Sequence, residues 1–407
     1  MFAFRNEAGG AGRSGQMAEA YIVDAVRTAG GRRKGRLSEW HPVDLGAAIL
    51  DALVERAGVN PAAVEDVIMG CVTQCGEQGL HIGRNAVLAS ASLPASVPAV
   101  SIDRQCGSSQ QAIQFAAQAI MSGTQDVVIA AGTESMSRAP MGSSGRWSAE
   151  AEVGSATSAR LAAKYPGIVF SQFTGAERIA EKHGFSREEL DAFALDSHRR
   201  AARATEAGAF EAEIVSLPVQ GPDGGTELHR TDEGIRFDAS AEGLASLKTL
   251  LPEGRITAGN ASQVCDGASA VLVMSEAALK AHGLTPLARI HNLTVTAGDP
   301  VVMLEEPLFA TDKALKRAGL SIADVDLYEV NEAFAPVPLA WARHVGADPE
   351  RLNVNGGAIA LGHPLGASGT KLMATLVHAL RARGGRYGLQ TMCEGGGIAN
   401  VTIVEAL

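Results

Sequence analysis

The order of sequence features in the first part of this chain returns about 260 residues later. Three pairs of short segments show the repeat: RAGV at 56–59 with RAGL at 317–320, EDV at 65–67 with ADV at 323–325, and GSS at 107–109 with ASG at 367–369. The last pair is followed in each case by a helical pattern and a strand pattern. Repeated strand-and-helix units predict an α/β fold of two halves, each with a mostly parallel sheet and with helices buried between them.

Cys106 stands where a predicted strand passes into a predicted helix. The residues at 99–103 form a short strand pattern, and apolar residues recur with a helical period until Gly123. A thiol at a helix N-terminus lies close to backbone N–H donors that favour the thiolate. Cys106 is therefore the candidate nucleophile, and the alternative interpretation is a small buried residue without chemistry.

A second pair of reactive side chains lies in the glycine-rich stretch 353–400. His363 stands in GGAIALGHPLG, Cys393 stands in CEGGG, and the segment between them has the period of an amphipathic helix. Glycines at this density allow the backbone to approach a ligand closely. In a duplicated fold the loop of His363 faces that of Cys106, so the imidazole is the candidate base for the thiol.

The sequence predicts four segments. Residues 1–17, rich in Gly and Ala, are expected to be a disordered extension, with Met17 as an alternative start and a transit peptide as the less favoured interpretation. The N-terminal half comprises 18–136 together with 265–285, and the C-terminal half comprises 286–407. The segment 137–264 is polar and glycine-rich and is expected to be an inserted loop domain that forms or covers the substrate site.

Composition excludes several classes of protein. The chain has 407 residues, of which 46% are hydrophobic and 20% charged, as in globular proteins of two or three domains. No apolar run reaches the roughly 18 residues of a membrane span and no secretory signal opens the chain. We therefore expect a cytoplasmic protein without a membrane span. The net charge of -10 disfavours nucleic-acid binding.

The cysteines and one basic run have simple interpretations. The five cysteines stand at 71, 75, 106, 265 and 393, too scattered for a disulfide framework, so reduced thiols are expected. Cys71 and Cys75 have no His or Cys partner at metal-ligand spacing, and no metal site is predicted. Cys265 is interpreted as a small buried residue. The run RRKGR at 32–36 is typical of a surface loop, with a phosphate or subunit contact as the alternative.

Five motifs in their order resemble the thiolase family from Ala18 to the C-terminus. They are RQCGS at 104–108, ITAGNAS at 256–262, NEAF at 331–334, GHP at 362–364 and CEGGG at 393–397. The resemblance implies the thiolase fold, with duplicated mixed-sheet halves in a layered αβαβα arrangement and an inserted loop domain. The related ketoacyl synthases pair their cysteine with two histidines, whereas this chain has Asn331 at one of those positions.

The resemblance also implies a covalent mechanism and the residues that perform it. Cys106 takes the acyl group as a thioester, His363 removes the thiol proton, and Cys393 exchanges the proton on the acetyl carbon. One oxyanion hole would be formed by His363 and a water held by Asn331. The other would be formed by the backbone amides of Cys106 and Gly395.

Coenzyme A, or an acyl-CoA, is the implied substrate, and no permanently bound cofactor is expected. The pantetheine arm would lie along 258–262, with Ala258, Gly259 and Ser262 as contacts. Arg236 matches a position that meets the nucleotide end in some members of the family, and an ordinary surface arginine is the alternative. The implied assembly is a homodimer or homotetramer with two-fold symmetry.

The sequence departs from the family pattern at the acyl pocket. Members specific for acetoacetyl-CoA tend to have His-Met-Gly where this chain has Ser171, Gln172 and Phe173. The resemblance thus implies a degradative enzyme that cleaves 3-ketoacyl-CoA with CoA into acetyl-CoA and a shortened acyl-CoA, for medium, long or bulky acyl chains. Two alternatives remain: a biosynthetic thiolase that condenses two acetyl-CoA, and a non-catalytic CoA- or lipid-binding relative.

Overall fold

The computed structural model describes residues 18–407, in which strands and helices alternate along the chain. The strands are β1 (Ala20–Thr28), β2 (Gly31–Arg32), β3 (Asp66–Gly70), β4 (Ala99–Ile102), β5 (Val127–Ser135), β6 (Ile214–Val215), β7 (Leu217–Gln220), β8 (Thr226–His229), β9 (Cys265–Ser275), β10 (Ala288–Ala297), β11 (Leu327–Val330), β12 (Tyr387–Glu394) and β13 (Ile398–Ala406). The α-helices are α1 (Pro42–Ala57), α2 (Ile82–Ala89), α3 (Ser108–Ser122), α4 (Ser143–Glu150), α5 (Ala159–Lys164), α6 (Gln172–Lys182), α7 (Arg187–Glu206), α8 (Ala241–Ala245), α9 (Glu276–His282), α10 (Glu306–Ala318), α11 (Pro336–Val345), α12 (Ala358–Leu361) and α13 (Ser368–Ala382). The predicted disordered extension, 1–17, lies outside the described residues.

The strand order repeats from one half to the other. The first half has the order β4-β3-β5-β9-β1 and the second has β11-β12-β13-β10, with β1 and β10 joined by a short antiparallel pairing. Strands β1, β3, β5 and β9 thus correspond to β10, β11, β12 and β13. The duplication predicted from the paired sequence segments is confirmed by this order.

The expectation that each half has a mostly parallel sheet is wrong. Strand β3 runs parallel to β4 and β5, but β9 runs antiparallel to both β5 and β1. In the second half β11 and β12 are parallel, whereas β13 is antiparallel to β12 and β10. Residues of β5 and β9 are buried throughout, and a strand covered on both faces has the same continuous apolar pattern whatever its direction. The halves are therefore mixed sheets.

The outer helices of the two halves have the same local design. Helices α1 and α10 each carry a proline in the first turn, where its missing N–H costs nothing. Each ends at a left-handed glycine, Gly58 with φ 65° and Gly319 with φ 69°. Helix α1 packs on the outer face of the first sheet and α10 on that of the second. The repeated sequence segments therefore encode equivalent helix boundaries.

Helices α3 and α13 form the layer between the two sheets. Their buried apolar residues share one core cluster with residues of β1, β3, β5, β9, β10 and β13. At their N-termini the Thr370 N–H donates to Ser109 Oγ at 3.0 Å. The fold therefore has five layers, in the order outer helix, first sheet, central helices, second sheet, outer helix. The turns that precede the two central helices lie side by side.

The segment between β5 and β9 packs mainly on the second half. Helices α6 and α7 contribute to the same core cluster as α10 and α11, and β7 pairs with β8 in a small separate sheet. Within residues 18–407 no helix is both long and apolar enough to cross a lipid bilayer. The insertion thus shares a hydrophobic core with the C-terminal half.

Candidate active site

Cys106 lies in a tight turn between β4 and α3. Gln105 adopts a left-handed conformation with φ 50°, and Gly107 is the N-cap of the helix. Ser108 Oγ accepts from Arg104 N at 2.9 Å and donates to Gln105 O at 2.6 Å, which closes the turn. The Cys106 side chain is buried, with 8% exposed. The turn therefore holds the thiol in one place at the helix N-terminus.

The environment of Cys106 does not favour the thiolate, contrary to the expectation from the helix N-terminus. Burial, and in second place the negative charge of Glu394 where that carboxyl is ionised, raises the pKa of Cys106 to about 12. Desolvation of the charged form outweighs the helix dipole, which acts over one turn. The resting nucleophile is a neutral thiol, so its attack requires a base.

His363 lies in the loop between α12 and α13, and its hydrogen bonds define its tautomer. Ser368 Oγ donates its single hydrogen to Pro364 O at 2.8 Å, and it lies 2.5 Å from His363 Nδ1. Because the hydroxyl hydrogen is already used, Nδ1–H is the donor to Oγ. Nε2 then carries the free lone pair. Asn331 Nδ2 lies 3.4 Å from Nε2, as expected for an acceptor nitrogen.

The protonation state of His363 agrees with a base. Burial and the nearby Lys371 ammonium lower the pKa of His363 to about 3, so the imidazole is neutral. Lys371 is itself buried and donates to Leu361 O at 2.5 Å. The His363 backbone N–H donates to Gln263 O at 3.0 Å. These contacts attach the loop to α13 on one side and to the insertion on the other.

Glu134, which was not predicted from the sequence, fixes the same loop from the opposite half. Its buried carboxylate accepts from Val72 N at 2.8 Å, Thr73 N at 3.0 Å, Gln78 Nε2 at 2.9 Å and Gly366 N at 2.9 Å. The last bond joins the end of β5 to the residues that follow His363. The signal that could have indicated this residue is an acidic side chain three positions beyond the apolar run 127–131.

Cys393 and Gly395 lie at the end of β12 and in the short loop before β13. Cys393 is buried, and burial together with the neighbouring Cys106 raises its pKa well above the ordinary value for a thiol. A side chain on Gly395 would meet Gln105, since an added Cβ would stand 2.8 Å from its Oε1. The Cys393 loop therefore lies directly beside the turn that holds Cys106.

A cavity of about 620 Å³ opens beside these loops. His363 lines it, as do the four residues predicted to contact coenzyme A: Arg236, Ala258, Gly259 and Ser262. Met136 and Leu365 also line it and pack in one cluster with Cys106. Cys106, Asn331 and Cys393 are not among the lining residues; Asn331 contacts His363, and Cys393 lies near Cys106. The predicted residues are thus gathered around one cleft.

Four residues of the cavity lining were not singled out from the sequence: Met136, Met141, His198 and Leu365. Arg32 and Arg33 of the basic run and Phe334 of the NEAF motif also line the cavity. His198 Nδ1 accepts from Arg236 N at 3.1 Å, and burial lowers the pKa of His198 to about 4. No cluster of three or more metal-ligand side chains occurs within residues 18–407.

Comparison with known sequences gives consistent matches along the chain. Residues 20–277 match the thiolase N-terminal domain and residues 284–406 match the thiolase C-terminal domain. The chain is 53% identical over 401 residues to the steroid 3-ketoacyl-CoA thiolase FadA6 of Mycobacterium tuberculosis, covering 98% of this chain and 97% of that protein. It is 42% identical over 399 residues to the acetyl-CoA acetyltransferase of Chromobacterium violaceum, covering 95% and 99%.

Solved structures agree with the sequence matches. Human mitochondrial 3-ketoacyl-CoA thiolase superposes with a TM-score of 0.85 at 38% identity, covering 96% of this chain and 99% of that one. The acetyl-CoA acetyltransferase of Bacillus anthracis superposes with a TM-score of 0.87 at 36% identity, covering 97% and 100%. The fold implied by the sequence motifs is confirmed, and the protein is a member of the thiolase family.

Proposed function

We propose that this thiolase cleaves 3-ketoacyl-CoA with CoA, releasing acetyl-CoA and an acyl-CoA shortened by two carbons. The observation that carries the proposal is the convergence of three loops, those of Cys106, His363 and Cys393, behind one cavity. The similarity to the Mycobacterium tuberculosis steroid 3-ketoacyl-CoA thiolase supports the degradative direction.

In the first half-reaction Cys106 attacks the C3 carbonyl of the substrate. The thiol proton passes to His363 Nε2, which is the acceptor nitrogen because Nδ1–H is bonded to Ser368. The C2–C3 bond then breaks, the acyl group remains on sulfur, and the acetyl-CoA enolate takes a proton from Cys393. The high pKa of Cys393 supports this role, since it keeps the resting group as a thiol that can give a proton.

In the second half-reaction the CoA thiol attacks the thioester on Cys106. Its proton passes to the Cys393 thiolate, the C–S bond to Cys106 breaks, and the released sulfur recovers a proton from His363. All three groups then return to their starting protonation states. The same sequence in reverse condenses two acyl-CoA molecules, so the chemistry does not by itself select a direction.

Negative charge develops on the C3 carbonyl oxygen that Cys106 attacks and on the thioester oxygen of the acetyl-CoA enolate, and both require fixed donors. We infer that the backbone amides of Cys106 and Gly395 serve one oxygen, an arrangement supported by the contact of Gly395 with the Gln105 turn. His363 and Asn331 serve the other. Asn331 Oδ1 is buried without a hydrogen-bond partner among residues 18–407, so it has free capacity to orient a water molecule.

Coenzyme A would lie along the cavity as a substrate and is not held as a permanent cofactor. Ala258, Gly259 and Ser262 offer the pantetheine arm a small-residue wall beside His363. Arg32, Arg33 and Arg236 supply positive charge for the phosphates. These cations compensate locally for the net charge of -10. The contacts are inferred from the shared cavity.

The acyl group is proposed to be longer or bulkier than acetyl. Apolar and flexible side chains line the cavity next to Cys106: Met136, Met141, Phe173, Phe334 and Leu365. Phe173 packs edge-on against Phe334, with ring centroids 5.7 Å apart. Methionines adapt to irregular apolar ligands. The steroid substrate class in the name of the Mycobacterium tuberculosis relative is consistent with this lining.

A substrate panel tests the proposal. Thiolysis of acetoacetyl-CoA, a straight medium-chain 3-ketoacyl-CoA and a polycyclic steroid-derived one should give the highest kcat/KM for one of the two larger substrates. Equal or better use of acetoacetyl-CoA would favour the biosynthetic alternative.

Intact-protein mass after incubation with acetyl-CoA is a second test and should show one acetyl adduct. Cys106→Ala should lose this adduct, and the control Cys265→Ala should keep it. Absence of an adduct in wild type would indicate the non-catalytic relative.

We further propose a two-fold dimer or tetramer in the cytoplasm. Strand β4 pairs only with β3 and leaves one edge free among residues 18–407. Exposed apolar side chains surround this edge: Leu80, Leu88, Val100 and Phe115. Open apolar edges favour pairing with a second copy. All five cysteines are unpaired, as in a reducing compartment.

A further inference from the structure

Glu394 is a buried carboxylic acid at the catalytic turn that the mechanism above does not use. Its side chain is fully buried at the end of β12, directly after Cys393. Neither carboxyl oxygen has a hydrogen-bond partner among residues 18–407. A buried acid without partners is costly, and groups of this kind are concentrated at functional sites.

The carboxyl lies against the turn that holds the nucleophile. An added Cβ on Gly107 would overlap the Glu394 carboxyl, which places that group at the N-cap of α3, one residue beyond Cys106. Other titratable or charged groups around the pair are Arg104 and Asp103 of the same turn, Cys393 of β12 and Glu134 of β5. Glu394 is thus the acid with the strongest electrostatic effect on the Cys106 thiol.

We infer that Glu394 is a positioning residue that controls the reactivity of the nucleophile: the Cys106 thiol passes its proton to the base more easily while Glu394 is neutral, and an ionised Glu394 makes that transfer harder. The inference rests on the proposed role of Cys106. It follows from the distance dependence of the interaction between two negative charges in a buried site.

Glu394 changes its charge slightly above neutral pH. Burial raises the pKa of Glu394 to about 8, although Arg104 opposes the shift. Near neutral pH the carboxyl is therefore mostly protonated, and the nucleophile is free to react. Above pH 8 the carboxylate forms beside Cys106, and the thiol becomes harder to ionise. The activity of the wild type should therefore fall as the pH rises above 8.

The test compares Glu394→Gln, an isosteric neutral variant, with the wild type between pH 6 and pH 9.5. The readouts are kcat/KM for thiolysis and the rate constant for alkylation of Cys106 by iodoacetamide, localised by peptide mass. Below pH 7 the ratio of the variant's value to the wild-type value should be near one for kcat/KM and for the alkylation rate constant. Above pH 8 the ratio should rise by about tenfold, because only the wild type acquires the opposing charge. A flat ratio would overturn the inference.

Two further variants separate this role from a structural one. Arg104→Gln removes the cation that stabilises the Glu394 carboxylate. The fall in activity should therefore begin at a higher pH than in the wild type. A fall that begins at the same pH counts against the inference. Glu329→Gln is the matched control. Glu329 is also buried, with a raised pKa and an oxygen without a hydrogen-bond partner among residues 18–407. Its charged neighbours include Glu332 and Glu213, and Cys106 is not among them. A rise of the ratio in Glu329→Gln would overturn the inference. If the wild type forms no acetyl adduct on Cys106 with acetyl-CoA, the proposed function itself is refuted.

Discussion

His363 Nδ1 and Ser368 Oγ lie 2.5 Å apart, and Ser368 donates its only hydrogen to Pro364 O. The imidazole must therefore carry its proton on Nδ1, and Nε2 is left as the base. Both groups belong to one loop and the first turn of α13, so the catalytic tautomer is determined within a short stretch of chain.

Ser368→Ala should slow the reaction without removing any group that contacts the substrate. The imidazole would lose the acceptor for Nδ1–H and populate the tautomer that has no lone pair at Nε2. We expect kcat to fall by roughly 10²- to 10⁴-fold, the usual contribution of a general base. Ser368→Thr keeps the hydroxyl and should recover most of the rate. Full activity of Ser368→Ala in steady-state thiolysis would contradict the tautomer assignment.

Cys393→Ala should separate proton exchange from acylation. Acyl transfer from acetyl-CoA to Cys106 needs the nucleophile, its base and an oxyanion hole, so the acetyl adduct should still form. Thiolysis and condensation should both fall by roughly 10²- to 10⁴-fold because the enolate lacks its proton donor. His363→Ala should instead slow adduct formation, measured by quenched-flow mass spectrometry. Equal loss of acylation in both variants would refute this division of labour.

Phe173→Ala should change the preference among acyl chains. The Phe173 ring lines the cavity and packs on Phe334, where a long or bulky acyl group can reach it. We expect kcat/KM for a long or bulky substrate to fall by about tenfold, as for the loss of an apolar contact. Acetoacetyl-CoA, which is shorter, should be affected much less. A parallel fall for both substrates would show that Phe173 acts only in folding.

Val100→Lys should disrupt the proposed dimer. Val100 lies on the free edge strand β4 and is 40% exposed, and a lysine on an edge strand opposes pairing with another copy. Light scattering at micromolar concentration should give a dimer or tetramer for wild type and a monomer for the variant. Phe309→Lys, on the outer helix α10, is the control and should keep the wild-type mass. A wild-type monomer with full activity would exclude the assembly.

Glu394→Gln should stabilise the protein increasingly as the pH rises. The pKa of Glu394 is raised from 4.5 to about 8 on folding, so the native state holds a proton that the unfolded state has lost between these values. A group of this kind contributes stability below its unfolded pKa and loses it as pH rises toward the folded pKa. The Tm difference between variant and wild type should grow from pH 5 to pH 8 by at least about 2 to 4 °C. A constant difference would contradict the raised pKa.

Local sequence patterns determined a large part of this fold and site. The paired segments at 56–59 and 317–320 predicted equivalent helix ends, and the structure has left-handed glycines at both. The strand-to-helix junction at Cys106 and the glycine-rich loop of His363 were likewise predicted, because turns and helix caps depend on neighbouring residues. The motifs around them were sufficient to indicate the family.

Tertiary packing decided the rest. The apolar pattern of β9 was compatible with either direction, and only its pairing with β1 and β5 showed that it is antiparallel. Glu134 holds Gly366 from the opposite half of the chain. The charges of Cys106 and Glu394 depend on how far packing removes them from water, because desolvation outweighs the helix dipole that the sequence reveals. Burial depends on contacts between residues far apart in the chain, which local patterns do not specify.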